Sequence, residues 1–283
     1  SIPESNIYNY NNFDAIINNP AIDIVYIVLP NHLHAEYTIR GFEAGKHVIC
    51  EKPMALSVDE CDAMVSAAEK ANKTLSIGYR LHFDTYNLEM IRLEKEKVYG
   101  KIKSIDTAFC ITPQKGEWKK KKKMAGGGPL MDVGIYCLQA VCYITGQVPV
   151  AVTAQSFPVS DKEKFIDIEE TITWQMEMPD GLVASCRTSY SEQTGFLRVI
   201  AENGWFELNP AFNYDGLKLK TSDGRKFAVP SFSQQAKQLD GIALAIKNNQ
   251  QSIVPGTMGR RDMKIISAIY EAMQSGKRTE IHY

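Results

Sequence analysis

The strongest strand signal in the sequence is the uninterrupted apolar run Ile24-Val25-Tyr26-Ile27-Val28-Leu29. Runs of this kind, rich in β-branched residues, are typical of strands that helices cover on both faces, as in a parallel sheet. The run stops at Pro30-Asn31, and apolar residues then recur at helical spacing over residues 33–44, before Gly45. This part of the chain therefore predicts a strand followed directly by a helix.

The same pattern is repeated downstream. Residues 47–50 form a second apolar strand, Ser57 is the predicted N-cap of the next helix, and residues 74–78 form a third strand. Strands and helices that alternate with short links are typical of a right-handed parallel α/β layer. We therefore predict an α/β domain over residues 1–100.

The loops behind these three strands are rich in polar residues. They are Asn31, His32 and His34 after the first strand, Lys52 after the second, and Tyr79, Arg80 and His82 after the third. Ligands of parallel α/β sheets bind at the carboxyl ends of the strands. The loops therefore predict a ligand site at one edge of the layer.

Residues 101–283 have a different pattern, in which segments of alternating polar and apolar residues are joined by tight turns. The turn signals are Pro179-Asp180-Gly181, Asn203-Gly204 and Asp223-Gly224. The last of these predicts a hairpin whose second strand covers residues 226–229. We therefore predict an α+β domain with an antiparallel sheet, apolar on one face and closed by helices at residues 236–247 and 261–274.

A glycine triplet at residues 126–128 precedes a helix that Pro129 is suited to begin. Because the triplet lacks the spacing of a dinucleotide fingerprint, we interpret it as a point of close backbone approach to a ligand. Asp132, Tyr136 and Gln139 recur at i, i+4 and i+7 and so share one face of this helix. The structural alternative is that Asp132 binds the first-turn amides and Tyr136 packs in the core.

Lys52 gives this polar face a chemical use if the loop after the second strand meets the helix after Pro129. A free phenol has a pKa of about 10, but a nearby ammonium favours the phenolate. A pair of Tyr136 and Lys52 can therefore take a proton from an alcohol while hydride leaves its carbon, or return one to a carbonyl. Asp132 would orient the lysine or the hydroxyls of a sugar. The alternative for Lys52 is a surface lysine beside a strand end.

The overall composition indicates no polymer or surface as a partner. The net charge is -1, from 32 basic and 33 acidic residues, so we expect neither nucleic acid nor a membrane. No apolar run reaches the roughly 18 residues that span a bilayer, and no signal peptide is visible. We therefore expect a cytoplasmic location. Because Ser1-Ile2-Pro3 is an unusual beginning, we also expect an upstream segment and leave a periplasmic location open.

Metal and disulfide chemistry is not expected. The six cysteines lie in apolar segments and are predicted to be reduced core thiols. His32, His34 and His82 lack zinc spacing, so no metal is expected. The basic run over residues 119–123 is either a solvated face or, with Trp118, a cover over a cofactor in which its first lysine contacts a phosphate.

Several stretches of the sequence form a recognisable combination. They are Tyr26-Ile27-Val28-Leu29-Pro30-Asn31, His34, Ala44-Gly45-Lys46-His47-Val48-Ile49-Cys50-Glu51-Lys52-Pro53, Gly78-Tyr79-Arg80, and Gly126-Gly127-Gly128 with Asp132-Val133-Gly134-Ile135-Tyr136. Together they resemble the Gfo/Idh/MocA oxidoreductases, and most of all the glucose-fructose oxidoreductase branch. The resemblance implies that residues 1–100 are the C-terminal part of a Rossmann domain for NAD or NADP. Residues 101–283 would form an open-faced sheet that binds substrate and joins subunits into a homo-oligomer, a dimer or tetramer.

The same resemblance implies roles for individual residues. Lys52, before a cis Pro53, would lie near the nicotinamide and the substrate. Tyr136 would be the acid/base, where many relatives have histidine, and Asp132 would assist it. The cofactor would contact Lys52 together with Pro30, Asn31, His34, Glu51, Arg80, Trp118 and Lys119. The substrate would contact Lys52, Tyr79, His82, Asp132 and Tyr136.

The sequence departs from the family pattern at two points. It begins after the position of the glycine-rich phosphate loop, so we expect an upstream segment, which would also hold the residue that selects NAD or NADP. Lys119 stands where the close branch has arginine, which weakens the expected phosphate contact. The sequence thus predicts an NAD(P)-dependent oxidoreductase of a sugar or polyol. The alternatives are a non-catalytic dinucleotide-binding regulator and an NAD-dependent glycoside hydrolase of the same family.

Overall fold

The computed structural model describes residues 2–113, 118–227 and 232–283. Its first three strands are β1 Ile24–Ile27, β2 His47–Cys50 and β3 Leu75–Ile77. They form a parallel sheet in the order β1-β2-β3. Ile27 lies beside Cys50 and Cys50 beside Ile77, so the three strands end together at one edge. The predicted parallel α/β layer is confirmed.

Helices connect these strands as the sequence predicts. They are α1 (His34–Glu43) between β1 and β2, and α2 (Val58–Ala71) between β2 and β3. The Ser57 side chain caps α2 by accepting from the Glu60 backbone amide at 3.2 Å. A further helix, α3 (Thr85–Lys95), leads the chain out of this layer.

The remaining strands are β4 Ile102–Cys110, β5 Ala151–Ser156, β6 Thr171–Glu177, β7 Val183–Ser189, β8 Thr194–Ala201, β9 Gly204–Leu208, β10 Leu219–Thr221 and β11 Thr279–Glu280. They form one sheet in the order β10-β9-β8-β4-β7-β6-β5-β11. Neighbouring strands are antiparallel, as predicted, except β4 and β7, which run parallel. Turn signals could not reveal this pair, because no hairpin joins its two strands.

Two of the three predicted hairpins are present. The turns at residues 179–181 and 203–204 join β6 to β7 and β8 to β9. The third prediction is wrong in its pairing, because β10 pairs with the open edge of β9, and Lys226 and Phe227 belong to no strand. Ala228 and Val229, the rest of that predicted strand, lie outside the described residues.

One face of the eight-stranded sheet packs against the helix that the sequence predicts after Pro129. The short α4 (Lys122–Ala125) precedes it, its first turn is a π-helix over Leu130–Gly134, and α5 (Ile135–Thr145) continues it. Gly134 allows close packing on the sheet, since a Cβ atom there would lie 3.1 Å from the Thr188 methyl group. The helix is thus confirmed, but its first turn is not a regular α-turn.

Two long helices complete the fold, α6 (Gln234–Lys247) and α7 (Gly256–Ser275). α7 packs against α2 and β3 as well as against β5, so it connects the two sheets. The division of the chain at residue 100 stays a prediction. Both helices follow residue 100 in the sequence, yet α7 packs against the parallel layer as well as against the second sheet. Within the described residues, none of the helices has both the length and the apolar character that crossing a bilayer requires.

Candidate active site

A cleft of about 870 Å³ opens where the loops after β1, β2 and β3 face the π turn and the start of α5. Nine of the twelve predicted site residues line this cleft: Asn31, His34, Glu51, Lys52, Arg80, Trp118, Lys119, Asp132 and Tyr136. A third wall comes from residues 212–215, which sequence reasoning did not include. The structure thus brings the strand-end loops and the helix together around one space.

Lys52 follows β2, and its peptide bond to Pro53 is cis, as the resemblance implied. Its ammonium donates to the Asp132 backbone carbonyl at 2.5 Å and to the Asp132 carboxylate at 3.3 Å. Burial disfavours the charged form, but Tyr136, Asp132 and Glu51 outweigh it and raise the pKa of Lys52. Lys52 is therefore a permanent cation of the cleft, and the alternative of a surface lysine is wrong.

Asp132 is a buried carboxylate between two ammonium groups. Besides Lys52, Lys119 donates to its second oxygen at 3.1 Å, and the Tyr190 hydroxyl donates to that oxygen at 3.2 Å. Burial by itself raises the pKa of Asp132, but the charges of Lys52 and Lys119 prevail and lower it. Asp132 therefore stays ionised at neutral pH.

The first-turn amides of this helix are bound by Glu169, which sequence reasoning missed. Its carboxylate accepts from the amides of Gly128 and Leu130 at 3.0 and 3.1 Å, and from the Tyr270 hydroxyl at 3.0 Å. A Cβ atom at Gly128 would overlap the Glu169 backbone. The alternative in which Asp132 binds these amides is therefore wrong. Gly128 approaches the protein itself, and the close approach of the triplet to a ligand stays a prediction.

The π turn sets the position of Asp132 relative to Tyr136. The Ile135 amide donates to the Leu130 carbonyl, five residues back, so this turn holds one residue more than an α-turn. Within it, the Asp132 carbonyl accepts from Lys52. The sequence predicted regular α-helical spacing here, and no residue type in the turn signals the extra residue.

The Tyr136 ring is fixed by aromatic neighbours and flanked by cations. Phe109 packs on its edge with the ring centroids 5.5 Å apart, and Phe212 lies at 6.1 Å. The Lys52 Nζ atom lies 5.0 Å and the Arg80 guanidinium carbon 5.1 Å from the ring centroid. The ring is therefore held between aromatic side chains and two cations.

Tyr79, His82 and Gln139 lie behind the cleft, around a cavity of about 10 Å³. Gln139 donates to the buried carboxylate of Asp262 in α7, and its oxygen is 2.8 Å from His82 Nε2. The Tyr79 hydroxyl donates to the same carboxylate. Of the three polar residues predicted to share one helix face, Asp132 and Tyr136 line the cleft, whereas Gln139 binds Asp262 of α7 instead. Substrate contact by Tyr79 and His82 stays a prediction.

Other predicted cofactor residues hold the strand-end loops in place. Both ring nitrogens of His34 lie 2.8 Å from backbone carbonyl oxygens, one in the loop after β1 and one in the loop after β2. The Asn31 amide donates to the Ala125 carbonyl at 2.9 Å, beside the glycine triplet. Pro30 is next to Asn31 but does not line the cleft. These contacts join the parallel layer to the segment before the π turn.

Glu51, Trp118 and Lys119 all line the cleft, and each has contacts within the protein. Glu51 accepts from the Tyr26 hydroxyl and lies over Gly78, where a Cβ atom would come within 2.8 Å of its carboxylate. Lys119 is bound to Asp132, so the structure gives it a partner other than the phosphate that the resemblance implied. Within the described ranges, no three His, Cys, Asp or Glu side chains are arranged to hold a metal ion.

Asp132→Asn is expected to destabilise the protein by about 2–3 kcal/mol at neutral pH, because two ammonium groups lose their carboxylate. The folded pKa of Asp132 is lowered. The ionised carboxylate therefore stabilises the fold fully above the pKa of Asp132 in the unfolded chain, about 3.9. This stabilisation is lost as the pH falls through the pKa of Asp132 in the folded protein. Urea unfolding of both proteins at neutral and acidic pH should show a difference that shrinks towards acid.

The control for this prediction is Asp240→Asn, an exposed carboxylate on α6. It should leave the free energy of unfolding within about 0.5 kcal/mol of wild type at either pH. If Asp132→Asn lowered stability equally at both pH values, the charge-based explanation would be contradicted.

Two family models match the sequence. The model described as an oxidoreductase family with an NAD-binding Rossmann fold matches residues 3–79, and the GFO/IDH/MocA C-terminal domain matches residues 88–207. Among curated proteins, a D-xylose 1-dehydrogenase [NADP(+)] of Haloarcula marismortui is 27% identical over 266 residues, 90% of this chain and 73% of that protein.

Solved structures give the same result. An aldose-aldose oxidoreductase from Caulobacter crescentus, complexed with glycerol, superposes with a TM-score of 0.95 at 39% sequence identity. The match covers 99% of this chain and 85% of the chain of that structure. A levoglucosan dehydrogenase in complex with NADH and levoglucosan has a TM-score of 0.81 at 21% identity, with 95% and 82% covered, which shows a shared fold.

Proposed function

The chain belongs to the Gfo/Idh/MocA family of NAD(P)-dependent oxidoreductases, and on this basis we propose that it transfers hydride between the nicotinamide and a sugar or polyol. The observation that carries the proposal is the Lys52 ammonium set between the Asp132 carboxylate and the Tyr136 ring. The relatives named as sugar dehydrogenases and as an aldose-aldose oxidoreductase support the substrate class. They also favour this function over the regulator and the glycoside hydrolase.

The cleft has features that fit the nicotinamide end of the cofactor. Val28, directly after β1, lines the cleft and is 63% exposed, and Trp118 is half-buried in the cleft lining. Apolar side chains of this kind suit a planar aromatic ring. We propose that Asn31, Glu51 and Trp118 hold the cofactor. When bound, it supplies the acceptor, and in the reverse direction the donor, for the hydride of the carbinol carbon.

Tyr136 is the proposed acid/base. In oxidation, the O–H bond of the substrate breaks, its proton passes to the phenolate oxygen, and the C–O bond becomes a carbonyl as the carbon loses hydride. In reduction, the phenol returns the proton to the carbonyl oxygen. Lys52 stays protonated throughout, and its charge stabilises the phenolate and the alkoxide that develops on the substrate. Asp132 fixes the Lys52 ammonium at this position.

The test uses the full-length protein. Any dinucleotide released on denaturation is identified first, and the native protein is then incubated with NAD⁺ or NADP⁺ and a panel of aldoses and polyols. We expect reduction of the nicotinamide, or exchange between two aldoses if the cofactor is retained. Cofactor binding without any turnover would instead support the regulator, and release of an aglycone without net NADH would support the hydrolase.

We also propose that the open face of the eight-stranded sheet joins subunits into a homo-oligomer. This face bears the polar side chains of Thr173, Gln175 and Ser185 and exposes Ile200. A sheet face that carries both polar and apolar side chains is suited to a contact between copies of the chain. Sedimentation of the full-length protein should show a dimer or tetramer, and a monomer at every concentration would contradict the proposal. The cytoplasmic location stays a prediction.

A further inference from the structure

Arg80 is a buried cation whose hydrogen-bond partners are all neutral. It is 5% exposed, and its guanidinium donates to the Phe212 carbonyl at 2.5 Å, to the Asn213 carbonyl at 3.2 Å and to the Gln234 side-chain oxygen. Its Nε atom is buried without a partner. In the part of the chain that the structure describes, no carboxylate forms an ion pair with Arg80. A buried charge of this kind is costly unless something compensates it.

The Arg80 guanidinium lies between two tyrosine rings. Its central carbon is 5.1 Å from the Tyr136 centroid and 4.1 Å from the Tyr214 centroid. Both distances fall within the range of cation–π contacts. Since Lys52 is 5.0 Å from the Tyr136 centroid, the proposed acid/base has two cations beside its ring. The Arg80 contacts to residues 212, 213 and 234 fix the guanidinium in this place.

The other charged or titratable groups around Tyr136 are Lys52, Lys119, Glu51, Asp132, Asp215, His34, His82, Tyr26, Tyr79, Tyr143 and Tyr214. Asp132 offsets Lys52 and Lys119 by direct contact. Burial lowers the pKa of His82, so its ring is neutral at neutral pH. Asp84 reaches Arg80 only through the amide of Gln234. Arg80 is thus the cation near Tyr136 whose charge no contacting carboxylate offsets.

We propose that Arg80 is an electrostatic positioning residue for Tyr136, acting together with Lys52. Its uncompensated charge stabilises negative charge on the phenol oxygen, the form of Tyr136 that accepts the substrate proton. The negative charge of the phenolate in turn compensates the buried positive charge of Arg80. The inference rests on the proposed function of Tyr136, and it differs from the cofactor contact that the family resemblance implies for Arg80. It assigns Arg80 no contact with the substrate.

The experiment compares kcat/KM for aldose oxidation against pH in the wild type, Arg80→Met and Arg80→Lys. Since oxidation needs the phenolate, kcat/KM rises with pH, and loss of a cation should move the midpoint of this rise upwards. We expect a shift of about one pH unit for Arg80→Met. Arg80→Lys keeps the charge and should shift the midpoint less. Arg40→Met removes a matched arginine stacked on Tyr37 in α1 and should leave the profile unchanged.

A readout without substrate or cofactor guards against loss of structure. The near-ultraviolet tyrosinate signal is titrated in the wild type and Tyr136→Phe, and their difference reports ionisation of Tyr136 alone. The titration of Arg80→Met is compared in the same way with that of the double mutant Arg80→Met with Tyr136→Phe. In this background the midpoint of Tyr136 ionisation should lie at higher pH than in the wild type. An unchanged midpoint in both measurements, with rates lowered equally at every pH, would overturn the inference.

The two readouts also separate this inference from the proposed function. If the wild type oxidised no aldose while the tyrosinate midpoint still depended on Arg80, the proposed function would fail and the electrostatic coupling would stand. If turnover depended on Tyr136 but neither midpoint moved in Arg80→Met, the proposed function would stand and this inference would fail.

Discussion

Tyr136→Phe should lower kcat for aldose oxidation by about 100-fold or more while leaving cofactor affinity unchanged. The phenylalanine ring keeps the packing against Phe109 and Phe212 but has no oxygen to accept the substrate proton. Steady-state turnover together with a cofactor titration measures both quantities. The loss should also remove the pH dependence that the phenol imposes on kcat/KM.

The matched control is Tyr99→Phe, which removes a buried hydroxyl that donates to Asp223 at 2.8 Å, away from the cleft. It should turn over at the wild-type rate. If Tyr136→Phe retained most of the wild-type turnover, the proton-transfer role would be excluded, and the ring would have to be regarded as packing only.

Lys52→Met should reduce turnover at neutral pH by about 100- to 1000-fold, with partial recovery at higher pH. The ammonium that donates to Asp132 and lies beside the Tyr136 ring is lost, so the phenolate becomes harder to form. Raising the pH restores part of the phenolate but not the stabilisation of the alkoxide. Profiles of kcat/KM against pH for the variant and the wild type measure both effects.

Two lysines serve as comparisons for this prediction. Lys119→Met leaves Asp132 paired with Lys52 and should reduce turnover far less. Lys103→Met removes an exposed lysine paired with Glu202 and should have no effect. If all three variants behaved alike, the position of Lys52 beside Tyr136 would have no special importance, and the proposed mechanism would lose its electrostatic basis.

The parallel layer could be predicted from the sequence, because it depends on local patterns, whereas the meeting of Lys52 with Tyr136, far apart in the chain, was an expectation that the family resemblance supported. An unbroken apolar run identifies a covered strand wherever it occurs, and the carboxyl ends of parallel strands share one edge. The helix after Pro129 followed from its spacing and its first residue. These rules need no knowledge of which distant residues will become neighbours.

The rest of the site depends on partners far away in the chain. Glu169 binds the helix amides 39 and 41 residues earlier, and Asp262 draws Gln139 away from the cleft across 123 residues. The neutral surroundings of Arg80 come from residues 212, 213 and 234. Single-sequence patterns carry no information on such contacts. The pairing of β10 was mistaken for the same reason, since the open edge of β9 exists only in the folded sheet.

The π turn makes the site sensitive to the number of residues in the chain as well as to their identity. Each residue of an α-helix turns its successor by about 100° around the axis. The π turn absorbs one extra residue, and a further insertion or deletion that it did not absorb would rotate Tyr136 by about that angle relative to Asp132. A proton acceptor and the carboxylate that holds its lysine would no longer face the same space. The length of this turn is therefore part of the site, together with the side chains that it carries.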